Sequence, residues 1–164
     1  MEVIPEETVE KTWEEVTGFS QGQAKKEMTT MGERQPELLS FMMEFTQDLD
    51  EEAQGLAIYM FFVVCRIFEK ASAKKIKKVS PQQIITCFES NEELVRSLEG
   101  THERILERIA ETRVLTQPYV MKYVLDTLFE APEDDDPVEL TDEEIGHLFL
   151  LFKTVIDVLD QASY

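Results

Sequence analysis

The amino-acid sequence predicts an all-α protein: an irregular bundle of six or seven helices around a central apolar helix at about residues 51–70. Three observations carry that prediction. Apolar residues recur at three- and four-residue spacing along most of the 164-residue chain. Strict alternation of apolar and polar residues, the mark of a half-buried strand, appears nowhere. The ten residues from Leu56 to Cys65 include no charge, so they cannot offer a wet face to solvent and must be wrapped by other helices. They are also only half of the roughly 20 apolar residues that a membrane span needs.

The elements follow in order. Pro5, Glu6 and Glu7 open a helix, with proline in the first turn and acids at its positive end; Val9, Trp13 and Val16 form its stripe. Between Gly18 and Gly32 only Ala24, Met28 and Met31 make a weak stripe, so residues 1–32 are expected to form a loosely packed N-terminal arm. Pro36 starts a short helix lined by Leu38, Phe41, Met42 and Phe45. Asp48, three residues before Glu51, is the expected cap of the central helix. The linker after that helix is basic: Lys70, Lys74, Lys75, Lys77 and Lys78 are five of the chain's 16 basic residues.

Ser80, Pro81 and Gln83 spell a capping box with proline at the first helical position. Ile84, Ile85, Cys87 and Phe88 line a short helix, and Asn91 is expected to cap the next. That next helix has the stripe Leu94, Leu98, Ile105 and Ile109 and runs to about Arg113. Pro118 opens a helix with Met121, Val124, Leu125 and Leu128. Residues 130–139 read as a loop with two prolines and the acidic run Glu133, Asp134, Asp135, Asp136. Thr141 and Glu144 make a second capping box. The last helix extends to about Asp160, with Ile145, Leu148, Phe149, Phe152, Val155, Ile156 and Leu159 facing inward. No internal repeat interrupts the series, so residues 1–164 are expected to form a single helical domain.

Composition bounds the function. At 43% apolar and 30% charged residues the chain can build a core. The net charge is −18, divided as −5 over residues 1–80 and −13 over residues 81–164. Such a field repels nucleic-acid phosphates and anionic lipids, so no nucleic acid and no membrane is expected as a partner. Cys65 and Cys87 lie in apolar surroundings without metal or redox spacing, and read as reduced core thiols. No basic segment followed by an apolar one opens the sequence, so the expected location is cytoplasmic.

The two histidines give the sharpest chemical pattern. Each stands three residues after a glutamate: Glu99 with His102, and Glu144 with His147. Two such pairs on separate helices are half of a ferritin-like site for Fe, Mn or Zn, which adds one glutamate from each of two further helices. Against that reading, Glu144 already serves the Thr141 capping box, and His147 falls off the stripe of Leu148 and Phe152. The acidic run fails as an EF-hand: counting from Asp134, the sixth residue is Glu139 and the twelfth Ile145; counting from Glu133, the sixth is Val138. The lysine linker lacks the interleaved glycine and aromatic residues of a nucleic-acid patch. It can instead face acidic neighbours, including the Asp134–Asp136 run of a second subunit.

The last two helices carry more apolar surface than one buried face needs. Leu150, Leu151 and Val158 on the last, with Tyr119 and Tyr123 on the one before, lie off the main stripes and are the candidate partner-binding residues. With no convergent polar constellation in view, binding is expected rather than turnover. The first expectation is a non-enzymatic acidic helical interaction module, adaptor or chaperone-like, that self-associates or holds a protein partner. The alternative is the carboxylate–histidine metal bundle.

Overall fold

The computed structural model describes residues 1–97, 115–129 and 140–163. These form seven helices and no strand: α1 (Glu6–Thr17), α2 (Gln21–Arg34), α3 (Pro36–Phe45), α4 (Glu51–Ala71), α5 (Pro81–Ser97), α6 (Pro118–Phe129) and α7 (Asp142–Ala162). None of the described helices is long and apolar enough to cross a membrane.

Two 21-residue helices, α4 and α7, make the spine. α4 packs against α1, α2, α3, α6 and α7; α7 packs against α3, α4, α5 and α6. This explains the charge-free run. Phe61, Phe62, Val63, Val64, Cys65, Ile67 and Phe68 are all buried, on successive sides of the helix, because neighbours cover each side. Each large side chain so buried contributes about 1.5–3 kcal/mol of transfer free energy. α7 is enclosed in the same way. Leu150, Leu151 and Val158, expected at a partner surface, are 8%, 0% and 2% exposed: the chain itself covers both apolar sets of its last helix.

The helix starts follow local chemistry. Thr141 and Glu144 form the capping box, with Glu144 N donating to Thr141 Oγ1 at 3.1 Å and Thr141 N to Glu144 Oε1 at 3.0 Å. Ser80 and Gln83 do the same for α5, at 3.2 and 2.9 Å. The cap of α4 is Asp50, whose carboxylate accepts from Ala53 N at 2.8 Å. Asp48, the expected cap, falls in the turn after α3, where Leu49 N donates back to Thr46 O.

Other sequence expectations give way to tertiary contacts. α5 runs unbroken past Asn91, because that side chain finds partners on α7 instead of capping a new helix. Its expected continuation through Leu98 and Ile105 lies outside the described residues. On α1 the inward stripe is Val9, Thr12 and Val16. Thr12 satisfies its hydroxyl on Thr8 O at 2.7 Å, and Trp13 is left 43% exposed.

Instead of forming a loose arm, α1 and α2 are clamped to the C-terminal half of α4. Arg66 pairs with Glu15 of α1 and with Glu27 of α2, at 2.5 and 3.3 Å. Lys70 also pairs with Glu15, and Arg34 holds Glu69 at 2.9 Å. The Arg66 guanidinium lies over the Phe19 ring, 5.1 Å from its centroid. At the other end of α1, buried Ile4 donates its backbone N–H to Gln117 at 2.8 Å.

Candidate functional site

Of the four residues in the candidate metal set, Glu99 and His102 lie outside the described residues. Glu144 is committed to its capping box. His147 is half-buried, with Nε2 2.6 Å from the Phe45 carbonyl. A carbonyl only accepts, so Nε2 carries a proton and is not a ligand in this arrangement. Among the described residues no three His, Cys, Asp or Glu side chains gather where they could hold a metal ion.

The interior of the α5–α7 contact is polar. Lys153, 4% exposed, donates to Asp157 Oδ2 at 2.7 Å and to Asn91 Oδ1 at 3.0 Å. The Asn91 amide donates in turn to Asp157 Oδ2 at 3.2 Å and Thr154 Oγ1 at 3.3 Å. Thr116 closes the outer side on Asp157 Oδ1 at 2.9 Å. The Cys87 thiol borders this network, 3.5 Å from Asn91 Nδ2. Burial, aided by the Asp157 charge, pushes its pKa up to about 11. Cys65 is pushed well up by burial as well. Both thiols are therefore held protonated at neutral pH, the opposite of an activated nucleophile. Every charge in this network has a partner, and its chemistry is that of a structural pin.

The surface formed by α3 and α5 is aromatic. Phe41 and Phe45 of α3 and Phe88 of α5 form a three-ring cluster with centroid separations of 4.9, 5.7 and 5.0 Å. Phe41 is buried beneath it. Phe45 remains 37% exposed and Ile85, three residues before Phe88 on α5, is 50% exposed. Beside Phe45 a cavity of about 270 Å³ is lined by Glu44, Phe45, Gln47, Asp48, Leu49 and His147. The helices and turn that carry this ledge are acidic. Residues 36–50 hold Glu37, Glu44, Asp48 and Asp50 with no cation; residues 81–97 hold Glu89, Glu92 and Glu93 with one, Arg96, which is paired to Glu92.

A second concavity has the opposite sign. A cleft of about 700 Å³ is lined by Arg34, Lys74, Lys75 and Lys78, together with Glu33 and Glu69. Its lysine loop is held by Gln35, which is buried and accepts from Val79 N at 3.0 Å while donating to Lys77 O at 2.9 Å. The Asp134–Asp136 run, which these lysines can face in a second subunit, lies outside the described residues. Of the two tyrosines expected at a partner surface, Tyr119 is 39% exposed. Tyr123 is half-buried, and burial raises its pKa.

Sequence reasoning missed both the ledge and the pin. The spacing puts Phe45, Ile85 and Phe88 on core stripes, because spacing tells which residues share a face and not which faces find a neighbour. The pin had a legible signal: between His147 and Asp160 the only charges are Lys153 and Asp157, one turn apart on an apolar helix. No protein-family model, no curated protein and no solved structure matches the chain.

Proposed function

We propose that the protein is a non-enzymatic, acidic helical interaction module, adaptor or chaperone-like, that holds a partner protein on the ledge formed by α3 and α5. The observation that carries this reading is the exposure of Phe45 and Ile85 beside the half-buried Phe88. Aromatic and aliphatic side chains grouped on a soluble surface are the usual anchors of protein recognition. The three rings also brace one another, so the ledge is rigid before a partner arrives and less ordering entropy is lost on binding.

A second copy of the chain suits this surface poorly, since pairing two ledges would bring their carboxylates together in a molecule of net charge −18. The test is selection of helical peptides from a library against the wild-type protein, followed by Ile85→Glu. Because Ile85 is exposed, that variant should keep its helical circular dichroism. Selected peptides should bind the wild type and lose about tenfold or more on the variant. Peptides that bind both equally would remove the ledge from consideration. A dimer in sedimentation that tightens with salt and is abolished by Ile85→Glu would make the second copy the occupant.

A further inference from the structure

We propose that the partner segment is a basic amphipathic helix, with one apolar side chain seated on Phe45, Phe88 and Ile85 and one lysine or arginine inserted into the cavity beside Phe45. This inference rests on the reading of the ledge as a docking face and names the chemistry of its occupant.

Phe45 is common to the two features. Its ring belongs to the aromatic cluster, while the residue also lines the neighbouring cavity. The cavity has a divided character. Leu49 and Phe45 supply apolar wall, and Glu44 and Asp48 supply carboxylates. A long cationic side chain has the same division, an aliphatic stem and a charged head. At about 270 Å³ the cavity lies at the small end of the range for organic ligands, about 300–1,000 Å³, and has room for a single long side chain. His147 steadies the site by donating to the Phe45 carbonyl at 2.6 Å.

A helical occupant fits better than an extended one. Residues four apart on a helix stand about 6 Å apart along its axis and point the same way. That spacing lets one residue rest on the rings while the next on the same face enters the adjoining cavity. An extended strand would turn alternate residues away. The remaining cations of such a helix would face Glu89 along α5.

The experiment uses the full chain and two synthetic peptides. One is a helix-forming amphipathic peptide of about five turns, with leucines on one face and lysines and arginines on the other. Its twin replaces every cation by glutamate. Fluorescence anisotropy should show the basic peptide binding at least tenfold more tightly than the acidic twin at moderate salt. Glu44→Lys with Asp48→Lys, both exposed positions, should weaken the basic peptide about tenfold and strengthen the acidic one. Ile85→Glu should weaken both. Equal binding of the two peptides, each lost on Ile85→Glu, would overturn this inference and leave the ledge as a docking face. Preference for the basic peptide that survives the Glu44 and Asp48 reversals would overturn the cavity as its anchor. Binding of neither peptide overturns the inference outright, and the library selection then decides whether the ledge reading falls with it.

Discussion

Lys153 donates to Asp157 at 2.7 Å, within a stretch of α7 from Leu148 to Leu159 that has no other charged residue. Both side chains are nearly enclosed, 5% and 12% exposed. A buried ion pair is weak as a source of stability, because desolvating both charges costs about what their attraction returns. Its expected effect is on specificity. α7 presents apolar residues on all sides and could rotate among several near-equivalent packings. Asn91 on α5 and Thr116 before α6 engage Lys153, Thr154 and Asp157 together, and only one rotation of α7 satisfies all of them.

Breaking one half of the pair should therefore be far worse than removing both. Asp157→Ala leaves a buried ammonium with one neutral partner and should cost about 3–5 kcal/mol in urea unfolding. Lys153→Met with Asp157→Leu should recover much of that loss, but with broadened side-chain resonances as α7 samples other rotations. A double variant less stable than Asp157→Ala would show that the pair is a net source of stability.

The thiols give a pH prediction. Burial raises Cys87 from an ordinary 9.0 to about 11, and Cys65 and Tyr123 are raised too. A group that holds its proton more tightly when folded adds stability that is fully present below its unfolded pKa. That stability is lost as pH rises through the folded pKa. The contribution of Cys87 to the unfolding free energy should thus be constant below about pH 9 and fall between 9 and 11. In native protein, iodoacetamide should modify Cys87 at a rate that keeps climbing toward pH 11, and Cys65 only after denaturation. A Cys87 rate that levels off near pH 9 would show an unburied thiol.

How far the sequence spoke depends on which interactions decide a feature. The all-helical fold was legible from periodicity, and the ends of α5 and α7 from capping boxes whose two hydrogen bonds are both local. Asn91 and Thr12 were not legible. Asn91 is read as a cap when only neighbours in sequence are considered, and α7 supplies better partners from more than 60 positions away. Trp13 looks like the obvious anchor of α1, yet Thr12 lies between Val9 and Val16 on the face that meets α4. The surplus on α7 was seen correctly as apolar. Whether this chain or another covers Leu151 depends on how many helices surround it, and a linear pattern carries no such count.

Glycine placement yields a stability prediction. Gly55 in α4 and Gly146 in α7 are exposed helical positions where an added Cβ meets nothing within 4 Å. Alanine removes backbone freedom from the unfolded chain without a clash. Each substitution should stabilise by about 0.5–1 kcal/mol, raising Tm by roughly 1–4 °C in a chain of this size. Gly32→Ala is the contrast, because its Cβ would stand 2.8 Å from Leu39 Cδ2, so the Leu39 side chain must turn aside and part of the gain is offset. Thermal scans of the three variants should separate the first two from the third.

Two buried glutamines tie non-helical segments to the bundle, and each should act locally. Gln35 joins the lysine loop to the α2–α3 corner through Lys77 O and Val79 N. Gln117 joins the N-terminal segment to α7 by accepting from Ile4 N at 2.8 Å and donating to Glu2 O at 3.0 Å and Asp160 at 2.8 Å. Alanine at either site leaves backbone groups without partners, at about 1–3 kcal/mol for each group that stays buried. The loss should appear mainly as local opening, since both segments lie outside the helices. In Gln35→Ala the amide of Val79 should exchange at least tenfold faster while Ile4 is unchanged; in Gln117→Ala the order should reverse. Equal acceleration at both amides in either variant would mean that the two ends of the molecule open together, and that neither glutamine is a local staple.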